Sequence, residues 1–494
     1  MTTDPRAPKT SLSHPLQIAE VSAGPGYGLI GVTFCPGKTQ ASAFSGLWAR
    51  DLDLDLDRIR DWGASAIVSL IEPHEFSALK VERLGEAVLE RHMDWFHLPI
   101  RDVDVPDAAF EHAWTRAGAD LRARLRQGSS IVVHCKGGLG RAGTIAARLL
   151  VELGMGPEAA IAALRRARSP GAIETRHQEA HVRGLRAVEG DAPSRSPEAV
   201  RDRAAGALLG LAIGDALGAT LEFKARDSYP RLRDMVGGGP FRLQPGQWTD
   251  DTAMALALAD SLIARGGLNE ADLMERFVQW RDEGRYSCTG TCFDIGITTN
   301  RALQRWRRTG DPVAGDPDPQ TAGNGSLMRL APVVLRYWDD RTALADAAAR
   351  QSRTTHAAPE AVEACVAYAD LLADVVAGVP LHEALRGGAR GATGVIAQIM
   401  EGRWRRLQRA KVRASGYAAH SLEAALWSVG RTGSYETAVL CAANLGEDAD
   451  TTAAIAGQLA GAAYGLSSLP RAWTDRVAWG ERILGMAERL LARP

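Results

Sequence analysis

His134-Cys135-Lys136-Gly137-Gly138-Leu139-Gly140-Arg141 puts a thiol at one end of a glycine-rich loop and a guanidinium at the other. A β-branched run, Ile131-Val132-Val133, leads into it, and a helix-forming run, Ala146 to Leu153, leads out. A strand, a loop and a helix in that order can aim several backbone N–H groups at one tetrahedral dianion. The same field favours the thiolate, the form in which cysteine is a nucleophile. Arg141 can grip two phosphate oxygens at once. The chemistry this suggests is phosphate-ester hydrolysis through a phosphocysteine. Spacing alone decides little: with six cysteines and 52 arginines in 494 residues, roughly 0.6 Cys-x5-Arg matches arise by chance. The weight lies in the context, namely the strand, His134 beside the thiol, three glycines and the helix.

Such a loop needs a carboxylic acid upstream to protonate the leaving oxygen. Leu98 to Asp107 follows a strand-like run and offers Asp102, Asp104 and Asp107. Asp102 comes first and is the expected acid; a solvated acidic turn is the alternative reading.

A second kind of chemistry is written further along. Trp248-Thr249-Asp250-Asp251-Thr252 precedes the apolar run Ala253 to Leu258, and Gly446-Glu447-Asp448-Ala449-Asp450-Thr451-Thr452 precedes Ala453-Ala454-Ile455-Ala456. Asp and Thr at a helix start are ordinary caps, but capping accounts for one oxygen-bearing residue per helix rather than three or four. Clustered carboxylates repel unless a cation holds them. Their oxygens and those of threonine are ligands for a hard ion such as Mg2+, and two such clusters suit a two-metal site. Both readings, caps and metal ligands, stand at this point.

The elements that must position these groups fall into two halves. Before residue 190, strand-like runs (Ala66 to Ile71, Trp95 to Ile100, Ile131 to Val133) alternate with amphipathic segments, which argues for an α/β layer fold. Val188 to Pro197 is polar and holds two prolines, as a linker does. Beyond it the pattern is helical over Ala253 to Ala264, Leu344 to Arg350, Ala361 to Val376, Ser421 to Val429 and Thr452 to Tyr464, so an all-α domain is expected. Small residues dominate several of these segments and permit close helix packing. The expected boundaries are an N-terminal extension at 1–24, an α/β domain at 25–187, a linker at 188–200 and a helical domain at 201–494.

Bulk composition agrees with two soluble domains. The chain is 46% hydrophobic and 24% charged, with a net charge of -1, which gives no sign of a nucleic-acid partner. Met1 to Gln17 is polar and lacks the apolar core of a signal peptide, and no apolar run is long enough to span a bilayer. Six scattered cysteines suit a reduced cytoplasm. Cys288 and Cys292 have no second pair at zinc-site spacing.

Residues from about 25 to 186 resemble the dual-specificity and protein-tyrosine phosphatase family, and within it the kinase-associated phosphatase (cyclin-dependent kinase inhibitor 3) group. The matching pieces are Phe34-Cys35-Pro36-Gly37, His97 to Asp102, His134 to Arg141 and Ser169 to Thr175. The resemblance implies Cys135 as nucleophile, Arg141 as phosphate clamp, Asp102 as general acid, and His134 as the residue that orients the loop and tunes the thiol. The loop itself (Lys136, Gly137, Gly138, Leu139, Gly140, Arg141) would bind phosphate, with no metal. The family usually has a hydroxyl residue just after the arginine; here it is Ala142. Phosphocysteine breakdown is therefore the step this departure would slow.

Residues from about 200 to 490 resemble the ADP-ribosylglycohydrolase family, through Gly206 to Gly218, Glu222, Thr249 to Thr252, Gly323 to Arg329 and Asp448 to Thr451. The resemblance implies an all-α fold and two Mg2+ (or Mn2+) ions. Thr249, Asp250, Asp251 and Asp450 would hold one ion, and Asp448, Asp450 and Thr451 the other. Glu222 would lie on a mobile segment and act in proton transfer, while Asp448 and its ion would serve catalysis. Gly323, Asn324, Gly325 and Ser326 would offer amides to the diphosphate. His356 would meet ribose and Tyr417 adenine, with a structural histidine and a core tyrosine as alternatives. The family often has glycine where Glu447 stands. Taken together, a bifunctional cytoplasmic hydrolase acting on a phosphorylated or ADP-ribosylated protein or small molecule is expected. The alternative is an ADP-ribosyl hydrolase whose phosphatase-like half only binds phosphate.

Overall fold

The computed structural model describes residues 8–43, 46–188 and 193–492. The chain divides into two compact units, Met1–Gly190 with Arg431–Gly433, and Asp191–Gly430 with Ser434–Pro494. The expected linker falls partly outside the described residues, as does the start of the expected N-terminal extension.

The first unit is an α/β layer. Strands β1 (Ala19–Val21), β2 (Ile30–Phe34), β3 (Ala64–Ser69), β4 (Asp94–His97) and β5 (Ser130–Cys135) form a five-stranded sheet in the order β1-β2-β5-β3-β4. The β2, β5, β3 and β4 strands run parallel, and β1 pairs antiparallel with β2. The sheet thus begins inside the segment that the sequence sets apart as an extension, because three residues are too few to show a period. The central strand β5 is β-branched and buried from Ile131 to Cys135, as a parallel strand covered on both faces must be. The strand expected at 95–100 stops at His97. Pro99 has no N–H for a ladder, yet Leu98 and Ile100 still donate to Ser69 O (3.0 Å) and Leu70 O (3.1 Å). This extended tail carries Asp102 to the carboxyl edge of the sheet, where Cys135 also emerges. Helix α1 (Pro73–Leu79) follows β3, and α2 (Gly140–Glu152), buried along its whole length, follows β5.

The second unit is helical. Three of its helices matter most here: α3 (Pro197–Gly218), α4 (Asp250–Arg265) and α5 (Ala449–Tyr464). Glycines recur every fourth residue along α3 at 206, 210, 214 and 218, which places them in one row. A Cβ at Gly206 would lie 2.3 Å from Gly461 O, at Gly214 2.2 Å from Ala453 O, and at Gly218 2.3 Å from Ala449 O. Only bare backbone allows α3 and α5 to approach so closely. That contact fixes Asp215 on α3 beside the first turn of α5, where Asp450 sits. No helix among the described residues is long and apolar enough to cross a membrane.

Candidate functional sites

In the helical unit the two acidic segments meet. Asp215 is fully buried, and its carboxylate accepts from Thr249 N (2.9 Å), Thr249 Oγ1 (2.9 Å), Thr252 N (3.0 Å) and Thr252 Oγ1 (2.7 Å). Those four bonds tie the start of α4 to α3. The single hydroxyl proton of Thr249 is spent on Asp215, yet its oxygen also lies 3.3 Å from Asp251 Oδ2 and 3.2 Å from Asp450 Oδ2. Thr451 Oγ1 lies 3.4 Å from the same Asp251 oxygen. Octahedral ligands of a small divalent cation are separated by about 3 Å, so these spacings, which are also hydrogen-bond distances, are compatible with a cation between the oxygens.

The donor chemistry fits such an ion. One carboxylate oxygen each from Glu222, Asp448 and Asp450 fall within 4.8 Å of one another, and Asp251 Oδ1 is buried without a hydrogen-bond partner among the described residues. Burial first, and then the charge of Asp450, hold the carboxyls of Asp250 and Asp251 well above the usual range and push Asp215 and Asp448 up to about 7. Burial and Asp450 likewise raise Glu222. Burial and Asp250 push Asp294 up to about 11. A divalent cation would relieve both the desolvation and the repulsion.

Glu222 is buried, and its Oε2 accepts from the amides of Ala449 (2.8 Å) and Asp450 (3.3 Å), so it caps α5 as well as lining the cleft. Asn324 uses its side-chain amide on Asp448 Oδ2 (2.6 Å) and Ser421 Oγ (2.8 Å), which orients a cluster carboxylate instead of leaving the amide for a ligand. The amides of Gly323 and Asn324 are spent on Thr321 O and Gly416 O, so two of the four N–H groups expected to meet a diphosphate are already bonded. Ser326 is fully buried with its hydroxyl on Ser352 Oγ (2.8 Å).

His356 is better placed. Arg329 Nη2 donates to Thr355 Oγ1 (2.9 Å), and Thr355 Oγ1 is 2.8 Å from His356 Nδ1. A hydroxyl oxygen accepts from two donors, so this pairing admits either ring tautomer; the one in which Thr355 donates to Nδ1 leaves Nε2–H beside Gly323 in the cleft. Burial, with Arg329 nearby, lowers the His356 pKa to about 3, so the ring is neutral. Tyr417 does not line the cleft: its hydroxyl donates to Glu360 and its ring meets His420 edge-on. Among the described residues, Phe223, 68% exposed, lines the cleft with its phenyl ring. Phe223, Asp294 and Glu447, all cleft-lining, have φ of +61°, +61° and +62°. This left-handed backbone is where glycine sits without strain, so each of the three side chains stands on a position that favours glycine. The cleft measures about 700 Å³, within the range of small-molecule and cofactor pockets.

In the α/β unit, Cys135 ends the central strand and the amide of Gly138 donates to its Sγ (3.2 Å). Gly138 has φ +70°, and a Cβ there would lie 2.5 Å from Thr33 O, so the turn needs glycine. The Arg141 guanidinium is held in a fork by Glu75 (Nη1–Oε2 2.6 Å, Nη2–Oε1 3.0 Å) and lies 3.0 Å from Asp102 Oδ1. Asp102 is half-exposed beside the loop, the position an acid needs. His134 is fully buried with Nε2 on Ser69 Oγ (2.7 Å), and Trp95 Nε1 donates to that same oxygen (2.8 Å). Burial lowers its pKa to about 4, so it orients the strand end but lends the thiol no positive charge. Ala142 is buried, and the nearby Thr144 hydroxyl is spent on Gly140 O (2.9 Å).

Residues 196–494 match the model of the ADP-ribosylglycohydrolase family. The chain belongs to that family. An ADP-ribosylarginine hydrolase, Tri1, of Pseudomonas putida is 46% identical over 298 residues, covering 60% of this chain and 80% of that protein. A solved ADP-ribosylglycohydrolase-related protein complex is 42% identical, covers 59% of this chain and 98% of its own, and has a TM-score of 0.52. Residues 55–182 match a Swiss Army Knife protein DSP-PTPase phosphatase domain. Human cyclin-dependent kinase inhibitor 3 is 30% identical over 139 residues, 28% of this chain and 64% of that protein. This ADP-ribosylglycohydrolase family member is thus a hydrolase that also carries a phosphatase-type domain.

Asp215, Asp294, Phe223 and Glu75 were not singled out from sequence. Asp215 stands in the Gly206 to Gly218 motif, and a buried carboxylate in a glycine row was the available signal. The others carry no local signal, because each meets its site from a separate segment.

Proposed function

We propose that the chain is a bifunctional hydrolase, releasing ADP-ribose at the helical cleft with Mg2+ and phosphate at the Cys135 loop. The observation that carries the first activity is that Asp251 and Asp450 each bring an oxygen to Thr249 Oγ1, at 3.3 Å and 3.2 Å, with Thr249 held by Asp215. Thr249, Asp250, Asp251, Asp448, Asp450 and Thr451 are the residues that would hold the ions. A bound divalent cation supplies Lewis acidity and an oriented water. Asn324 keeps Asp448 turned to the cluster, and His356, in the tautomer where Thr355 donates to Nδ1, offers its Nε2–H to an oxygen of the ligand. Glu222 lines the cleft as the carboxylate that exchanges a proton with the leaving group. The name of the Pseudomonas relative favours arginine-linked ADP-ribose as the substrate.

At the other site, the Cys135 thiolate attacks phosphorus, the amides from Gly137 onward and Arg141 bind the equatorial oxygens, and Asp102 protonates the leaving oxygen. Glu75 keeps the guanidinium in plane for that contact. A second reading, phosphate binding without turnover, is favoured by Ala142, since no hydroxyl stands ready to assist departure of the sulfur.

One protein preparation tests both activities. ADP-ribose release from ADP-ribosylarginine should stop with Asp450→Ala or with excess chelator and persist in Cys135→Ser. Phosphate release from an aryl phosphate should stop with Cys135→Ser and persist with chelator. Full ADP-ribose release in chelator would remove the metal reading, and phosphate binding without release would leave the second reading for the loop.

A further inference from the structure

Three successive carbonyls of the phosphate loop are each held from outside by a cation. Lys38 Nζ donates to Lys136 O (3.3 Å), Arg168 Nη2 to Gly137 O (3.3 Å) and Arg168 Nε to Gly138 O (3.0 Å). Every peptide bond described is trans, so each carbonyl points opposite to the N–H of the following residue. A carbonyl pulled outward at 136, 137 and 138 therefore turns the amides of Gly137, Gly138 and Leu139 inward. The Gly138 amide, paired with the carbonyl that Arg168 Nη2 holds, is the one that donates to Cys135 Sγ.

The two cations share an unusual environment. Lys38 is 5% exposed and sits over the rings of Phe34 (4.8 Å) and Trp48 (4.6 Å); Arg168 lies 6.0 Å from the same Phe34 ring. Neither makes an ion pair with a carboxylate among the described residues. Ring faces hold a cation in place without cancelling its charge. Arg141, by contrast, is countered by Glu75 and Asp102. Besides Lys136 in the loop itself, the positive charge beside the loop comes from Lys38 and Arg168, and burial without a counter-ion lowers the pKa of both, Lys38 to about 8.

We propose that Lys38 and Arg168 are positioning residues of the phosphate loop: they hold its carbonyls outward, aim its amides at a dianion, and supply the charge that a thiolate or phosphate completes. Arg168 carries the larger share, because it holds two carbonyls, whereas Lys136 O is also held by the Cys35 amide (3.4 Å). This rests on the phosphate-loop reading but not on turnover, so its test avoids turnover.

Alkylation of Cys135 by iodoacetamide is followed in the full chain by peptide mass spectrometry, across pH and with increasing inorganic phosphate. Arg168→Met should move the alkylation midpoint to higher pH and weaken protection by phosphate about tenfold or more, the loss of one charge-assisted pair of hydrogen bonds. Lys38→Met should do the same to a smaller extent. Arg168→Lys, which keeps the charge and folds more readily but has one donor head for two carbonyls, should fall between. Wild-type midpoints and protection in Arg168→Met, or in Arg168→Lys, would overturn the clamp. A wild-type chain that is protected by phosphate yet releases none from esters would remove the phosphatase turnover and still support the clamp.

Discussion

Asp215→Asn isolates the joint that brings the two acidic segments together. Each Asp215 oxygen accepts one backbone N–H and one threonine hydroxyl. Asparagine leaves one acceptor oxygen. The NH2 that replaces the other faces a hydroxyl, which can reverse, and a backbone N–H, which cannot. One hydrogen bond is lost and one buried donor is stranded, costing about 2–4 kcal/mol. In a domain of this size that lowers the unfolding midpoint of the helical unit by about 3–6 °C. The measurement is a thermal scan in saturating Mg2+ and again in chelator. The drop should be larger with Mg2+, because Thr249 and Asp251 are displaced from the cluster. It should be smaller in chelator, where removing one charge from a crowded set of carboxylates offsets part of the loss. A variant with the wild-type midpoint and the wild-type gain from Mg2+ would refute the reasoning.

Gly214→Ala places a Cβ 2.2 Å from the backbone oxygen of Ala453, with no flexible side chain to yield. It should cost 3 kcal/mol or more, at about the upper end of point-mutant effects, seen as a lower urea midpoint and lost ADP-ribose release. Thr355→Val removes the hydroxyl that pairs with His356 Nδ1; affinity for ADP-ribose should fall about fivefold to tenfold by calorimetry, and Thr355→Ser should restore it. His134 stays neutral in the fold down to about pH 4 and takes up a proton in the unfolded chain from 6.5. The unfolded state therefore binds more protons in that window, and the α/β unit should lose up to about 3 kcal/mol between pH 6.5 and 4. Denaturant titrations across that range should show a flatter profile for His134→Asn.

What was legible in the sequence was what is local. The thiol loop, its flanking strand and helix, and both acidic helix starts are contiguous, and they fold as contiguous pieces. The glycines at 206, 210, 214 and 218 carry the helix packing in their spacing. What joins segments far apart was not legible: Glu75 on Arg141, Asp215 on Thr249 and Thr252, Arg168 behind Gly137 and Gly138. No spacing rule links them, because the chain reaches each partner through the fold. Side-chain direction was also hidden. Asn324 and Ser326 lie in the expected loop but turn toward Asp448 and Ser352, while Tyr417 turns to Glu360 and leaves the cleft to Phe223. His134 was expected to orient the loop and tune the thiol; that burial against Ser69 keeps it neutral was not visible in its place next to Cys135.

The central claim is that the first turns of α4 and α5 share divalent cations. Anomalous scattering from crystals grown with Mn2+ tests it most directly. The account predicts a peak within about 2.5 Å of the Asp450 carboxylate, with ligands drawn from both 249–251 and 448–451. A cleft without a peak at saturating Mn2+, its carboxyls hydrogen-bonded to one another, would contradict it.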